Sequence, residues 1–212
     1  MVATADVGAP RRHAQSFATV AIGCFVYAVI AVCLMHVLRP DYVPAKSMIS
    51  AYGVGPYGWI MTTAFLAAGA GCLMLVLGLA RTGPRANTAR FAMFLIAIAS
   101  IGLVVSAEFP MDVTGPATRT GDIHDISFLV NIVSLFLAAL FLAAAFGTDA
   151  RWRRYQRGAV VLAALLILGF VLQFLTLRIR GLPYGFANRL FAGLVITWLL
   201  TNAVWLRRVA RR

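Results

Sequence analysis

The sequence predicts an all-α fold, a polytopic membrane protein built as a six-transmembrane-helix bundle with both termini inside (N-in/C-in). Three observations carry this expectation. Of 212 residues 61% are hydrophobic, more apolar surface than a soluble domain of this size can hide. The apolar residues collect near 16–38, 57–80, 91–109, 123–147, 158–177 and 187–206, each stretch about long enough to cross a ~30 Å hydrocarbon layer at about 1.5 Å per helical residue. The polar loops between them also sort by charge. With the N-terminus inside, 13 of the 19 Lys and Arg lie on inner segments, leaving Arg39, Lys46, Arg119, Arg178, Arg180 and Arg189 outside, as the positive-inside rule requires. The carboxylates run the other way: Asp6 and Asp149 lie inside, and Asp41, Glu108, Asp112, Asp122 and Asp125 outside.

Along the chain, residues 1–15 form a polar tail, 16–206 the membrane domain and 207–212 a basic tail. Arg11-Arg12 before a long apolar stretch resembles a secretion signal, but the stretch is too long and lacks a small-x-small cleavage site, so segment one reads as a retained anchor. Cys24, Cys33 and Cys72 lie inside apolar segments, are odd in number and form no CxxC pair, which fits packing residues rather than disulfides or thiolate zinc. In segment two, Ala64, Ala68 and Cys72 recur one turn apart beside Ala67 and Gly71, a surface that lets a neighbouring helix approach closely. The net charge of +12 sits in short loops beside helix ends, without the aromatic or glycine interleaving of a nucleic-acid site, so the lipid bilayer is the partner it implies.

The inner loops, Arg81 to Arg90 and Gly147 to Arg157, are short, basic and without motif, and read as connectors. The outer loops are longer and rich in Pro, Gly, Ser, Thr and Tyr, which points to the outer face as the functional one. Tyr42, Tyr52, Tyr57 and Trp59 form an aromatic band at the outer interface, while Trp198 and Trp205 lie in the inner half of segment six.

Segment four carries His124, Ser127, Asn131 and Ser134 at spacings of three and four, a polar stripe on one helical face. In lipid such a stripe must face protein or water, and Thr197, Thr201 and Gln173 are candidates to meet it. Glu108, in the last turn of segment three, faces the negative helix end and needs a cation or a proton, with Arg39, Arg119 and Arg189 on the same side. Asp112 follows Pro110, which stops the helix and projects the acid into the outer mouth. Gly-Asp-Ile-His-Asp reads as a helix start with Asp122 as N-cap and Asp125 in the first turn.

His124, on that first turn, is favoured in its neutral form by the helix dipole, and His36 lies at similar depth on segment one. His36, His124 and Asp112 are the candidate metal ligands, with zinc the candidate metal, although no pair has the i, i+4 spacing of a metal helix. Ser50 is a candidate nucleophile without the Gly-x-Ser-x-Gly elbow, and Ser47 and Ser50 also suit loop capping.

In order, the outer face reads Leu38-Arg39-Pro40-Asp41-Tyr42, Ile49-Ser50-Ala51-Tyr52, Gly58-Trp59, Phe109-Pro110-Met111-Asp112, Gly121 with His124, Gly181-Leu182, and Asn188-Arg189 ahead of Trp198. The set resembles the uncharacterised prokaryotic membrane-protein family called domain of unknown function 998, over nearly the whole chain. The resemblance implies a multi-helix membrane protein whose matching residues are Ser50, Tyr52, Phe109, Pro110, Asp112, His124, Gly181, Leu182 and Arg189, with Asn188 at a position where an acid or amide is usual.

The resulting expectation is an outward-facing polar pocket, gathered from Arg39, Ser50, Tyr52, Glu108, Asp112, His124, Asn131 and Arg189, that binds or transports a lipid headgroup or small polar solute. Its alternatives are an intramembrane hydrolase or transferase using His124 and Asp112, with Ser50 or a metal, and a scaffold for another membrane protein. Asp112, His124 and Arg189 are expected to converge in the pocket. The charge sorting has its own test: a C-terminal reporter that works only in the cytoplasm should be active, and activity of a periplasm-dependent reporter there would reverse the orientation.

Overall fold

In the computed structural model, which describes residues 9–179 and 181–212, the chain forms six long helices and no strand among those residues. These are α1 (Ala9–Leu38), α2 (Gly58–Thr82), α3 (Asn87–Glu108), α4 (Arg119–Phe146), α5 (Gln156–Arg178) and α6 (Tyr184–Ala210). Asp6 and Arg180 lie outside the described residues. Even α3, with 22 residues, is about 33 Å long, and all six are long and apolar enough to span a membrane. The chain is therefore built as a multi-pass membrane protein.

Several helices overrun the apolar segments that announce them. α1 begins at Ala9 rather than near 16, α4 at Arg119 rather than 123, and α6 runs to Ala210. The α4 start also reassigns its cap: Thr118 Oγ1 accepts the Gly121 N–H at 3.1 Å, and Asp122 lies in the first turn, where its charge complements the helix dipole.

Each helix packs on its chain neighbours, and α6 closes the ring against α1 while also touching α2 across the interior. The start of α1 and the end of α6 lie at one end, where Arg11 Nη1 donates to the main-chain oxygen of Arg212 at 3.1 Å. That end is called terminal below, and the opposite end distal. Large apolar side chains such as Ile30, Ile101, Ile126 and Leu168 point outward and are more than half exposed, as a lipid-facing surface requires. The interior is largely alanine with interleaved Phe25, Ile96, Leu142, Trp198 and Leu206.

Close approach is set by small residues. A Cβ at Gly71 would collide with Phe25 of α1, and one at Gly102 with the Asn131 amide of α4. Ser100 Oγ of α3 donates to the Gly69 carbonyl of α2 at 2.8 Å, a polar tie at the same kind of contact.

The α4–α5 link is more than a connector. Trp152, fully buried, stacks on Phe146 with ring centroids 4.6 Å apart, and its Nε1 donates to the Thr82 carbonyl at 3.1 Å. This pins the link to the end of α2. Beside it Arg151 pairs with Asp149 at 2.9 Å, and the guanidinium holds the Asp149 carboxyl below its usual value.

Trp152→Ala should lower stability by about 3–5 kcal/mol, read as a reduced thermal midpoint in detergent. Trp59→Ala, at a side chain 65% exposed, should change it by less than ~0.5 kcal/mol.

Candidate functional site

The distal end is closed by the α1–α2 loop, residues 39–57, which folds over the bundle around a short 3-10 turn at Ile49–Gly53. Glycine at 55 supports the loop's return, with a φ of 83° that L side chains rarely adopt. Arg39 staples the loop to itself. Its Nε and Nη2 donate to Asp41 at 2.7–3.2 Å, its Nη1 to the carbonyls of Val54 (2.6 Å) and Pro56 (3.1 Å), and its guanidinium lies 4.5 Å over the Tyr42 ring. Arg39 is 6% exposed, so this residue is a brace, not a pocket cation. The pair keeps the Asp41 carboxyl below its usual value.

Arg189 ties the same loop to α6. Its Nη1 donates to the carbonyls of Ser47 (2.6 Å), Pro44 (2.8 Å) and Gly185 (3.0 Å), its Nη2 to Tyr52 Oη (3.2 Å), and its Nε to His36 Nε2 (2.7 Å). The His36 Nδ1 lies 2.7 Å from the Val32 carbonyl, which can only accept. Nδ1 therefore carries the proton, and Nε2, facing an N–H donor, carries none: His36 is neutral here. Tyr52, 1% exposed, packs its edge on both His36 and Tyr42. Asn188 adds a further tie, its Oδ1 accepting the Ile49 N–H at 2.9 Å, and Gly185 N–H donates to the Ala45 carbonyl.

Asp112 is equally committed. Its carboxylate accepts from the Thr118 N–H (2.7 Å) and Oγ1 (2.8 Å), bracing the residue that caps α4. No hydrogen bond joins any two of Asp112, His124 and Arg189 among the described residues: Arg189 is tied to the α1–α2 loop, whereas Asp112 and His124 both bond within the α3–α4 connection, to Thr118 and to the Phe109 carbonyl. Glu108 differs too: it is exposed at the distal rim and has no ion pair among the described residues, so the expected arginine partner is absent.

His124, 4% exposed, is the candidate that does face an interior space. Its Nδ1 lies 2.7 Å from the Phe109 carbonyl, which can only accept, so Nδ1 carries a proton and the ring is held in one orientation. The polar stripe behind it is buried as expected, but its partners are on α3: Ser106 and Ser127 share a 2.7 Å hydrogen bond, and Asn131 packs on Gly102. Thr197 is instead exposed, and Gln173, 2% exposed, has no hydrogen-bond partner for its amide among the described residues.

Under the loop lie three hollows that share walls. A lateral cavity of about 390 Å³, between α1, α2 and α6, is lined by apolar side chains except for His36 and Arg189. Its rim residues Val29, Cys33 and Gly193 are exposed, so it opens on the lipid-facing flank. An interior hollow of about 170 Å³ shares Ile49, Phe65, Ala68, Leu103, Ala192 and Ile196 with it, and extends to Ser50, His124, Asn131 and Asn188. A distal chamber of about 220 Å³ shares Ser50, Phe65, Ser106 and His124 with the interior hollow, and reaches Thr62, Glu108 and Pro110. Phe65 borders all three and sets its ring edge toward His124, centroids 6.2 Å apart.

Of the expected pocket residues, Ser50, Glu108, His124 and Asn131 therefore line two adjoining hollows. Arg189 lines the lateral cavity, Tyr52 backs it, and Arg39 and Asp112 stand apart. Ser106, Thr62 and Asn188 were not anticipated in the site. Ser50 Oγ donates to Met111 Sδ at 3.0 Å rather than to a base. Of the candidate zinc ligands, His36 has both nitrogens engaged and Asp112 is held by Thr118; no group of three His, Cys, Asp or Glu among the described residues is placed to hold a metal.

A family model described as "Protein of unknown function (DUF998)" matches residues 21–205. No curated protein and no solved structure matches.

Arg189→Lys keeps the charge but cannot serve five acceptors on three sides. Amide hydrogen exchange over residues 44–52 should then speed by about tenfold or more, whereas Asp112→Asn should loosen residues 112–121 and leave the first loop unchanged.

Proposed function

The chain belongs to this family of unknown function, whose description assigns no reaction, and from the geometry we propose that it binds a single amphiphile, such as a membrane lipid or lysolipid, through the lateral cavity. The apolar tail occupies the space between α1, α2 and α6, and the polar head reaches past Phe65 toward Ser50, His124 and Glu108. The observation that carries this reading is the gradient of polarity along adjoining hollows that share walls. It runs from an almost wholly apolar cavity open to the membrane flank to a chamber with hydroxyls, an imidazole and a carboxylate near the distal surface. The lateral cavity alone falls in the range of about 300–1,000 Å³ typical of ligand pockets.

The Asn131 Oδ1, buried beside the interior hollow without a donor among the described residues, adds an acceptor that a hydroxylated headgroup could satisfy. The arginine excess at the terminal end supports placing both termini in the cytoplasm, so that the chamber opens to the far side of a cell membrane. Transport of the amphiphile between the flank and that surface is the activity such a route suits.

Catalysis is the second reading, favoured by one observation. His124, its ring held by the Phe109 carbonyl, lines the chamber with Ser50 and Glu108, a set able to orient water against an ester bond.

Native mass spectrometry with a single-chain phospholipid tests the binding reading. Ala68→Trp, which fills the wall shared by two hollows, should reduce retention by about tenfold, while Leu140→Trp, on the lipid-facing side of α4, should leave it unchanged. Equal retention in both variants would contradict it. Release of fatty acid that His124→Gln abolishes would move the reading to hydrolysis.

A further inference from the structure

We propose that the terminal end carries a second binding site, for a phosphate group. A concavity of about 360 Å³ lies there, bordered by Arg11 at the start of α1, Arg151 and Arg154 in the α4–α5 link, and Arg212 after α6. Arginines from three separate stretches of chain thus border one space at the end of the bundle where α1 starts and α6 stops. Among the described residues the only acidic side chain at this end of the bundle is Asp149, and it is committed to Arg151 at 2.9 Å. Arg11 Nη1 holds the Arg212 main-chain oxygen, and Arg154 lies 4.5 Å over the Tyr155 ring, which leaves the outer N–H groups of its planar fork available.

The scaffold beneath is fixed. Trp152, between Arg151 and Arg154 in sequence, is fully buried and bonded to the Thr82 carbonyl, so the backbone that presents these arginines is held against α2. Forked donors arriving from several directions suit a tetrahedral oxyanion better than a planar carboxylate, and guanidinium–phosphate contacts are among the stronger charge-assisted hydrogen bonds. The phosphate can come from the headgroup of an anionic lipid or from a soluble phosphate.

The site does not depend on the amphiphile route at the distal end, and its test separates the two. Detergent-solubilised protein is titrated with phosphatidylglycerol by native mass spectrometry, and in a parallel arm with inorganic phosphate by thermal unfolding. R154Q/R212Q should weaken retention of phosphatidylglycerol by about tenfold, because two charge-assisted contacts are removed. A150E, which places a carboxylate at the exposed rim, should do the same without removing an arginine. R81Q/R90Q, an equal charge change at exposed positions outside the concavity, should bind as the wild type does. Stabilisation by inorganic phosphate that R154Q/R212Q loses would identify a soluble ligand for the same site. Retention unaffected by either concavity variant, with no phosphate response, overturns the proposal, as does an equal loss in R81Q/R90Q, which would mean charge alone decides.

Discussion

The distal half of this bundle depends on one guanidinium. Arg189, one turn into α6, reaches carbonyls on the α1–α2 loop and on its own helix, the Tyr52 hydroxyl and a neutral imidazole on α1. A partly buried charge in a membrane domain is most stable when its donors are matched, and here most of the matching partners are backbone carbonyls. The charge therefore dictates where the loop lies, and the loop in turn roofs the cavities. Lysine could not replace it, because a single ammonium cannot face Ser47, Tyr52 and His36 at once.

Other ionisable side chains obey the same constraint with different results. Arg39 and Asp41 neutralise one another inside the loop, and Asp112 braces the cap of α4 through Thr118. Removing these from consideration leaves a sparse polar set around two adjoining hollows: Ser50, Ser106, Glu108, His124 and Asn131. His124 is oriented by the Phe109 carbonyl at the point where α3 ends before Pro110, so the helix stop and the chamber's imidazole share one local cause. Phe65 stands between the greasy cavity and this set, which makes the route amphipathic from end to end.

The six crossings were legible because a bilayer demands long apolar runs, but hydropathy marks only the part of a helix that meets hydrocarbon. That is why α1, α4 and α6 extend past the apolar stretches, and why Thr118 rather than Asp122 caps α4. The stripe His124–Ser134 was legible from helical spacing alone. Its partners were not: whether Ser106 and Gly102 of α3 or Thr197 of α6 face it depends on how neighbouring helices are rotated, which no periodicity within α4 encodes. Arg39, Asp112 and Arg189 were singled out because ionisable groups are rare here, yet rarity is the same for a brace as for a ligand. Trp152 escaped notice in an arginine-rich connector, although a lone tryptophan in such a loop is the kind of residue that needs an apolar seat. Phe146 and Thr82 supply that seat and its hydrogen-bond acceptor.

Photolabelling in a bilayer whose phospholipid carries a diazirine in the acyl chain tests the amphiphile route most directly. Adducts are expected on the cavity-lining peptides that contain Phe65, Ala68 and Leu103, removable by excess unlabelled lipid, alongside non-competed labelling of outward residues such as Ile101 and Val160. Labelling confined to the outward residues, with none on the cavity walls, would contradict the account.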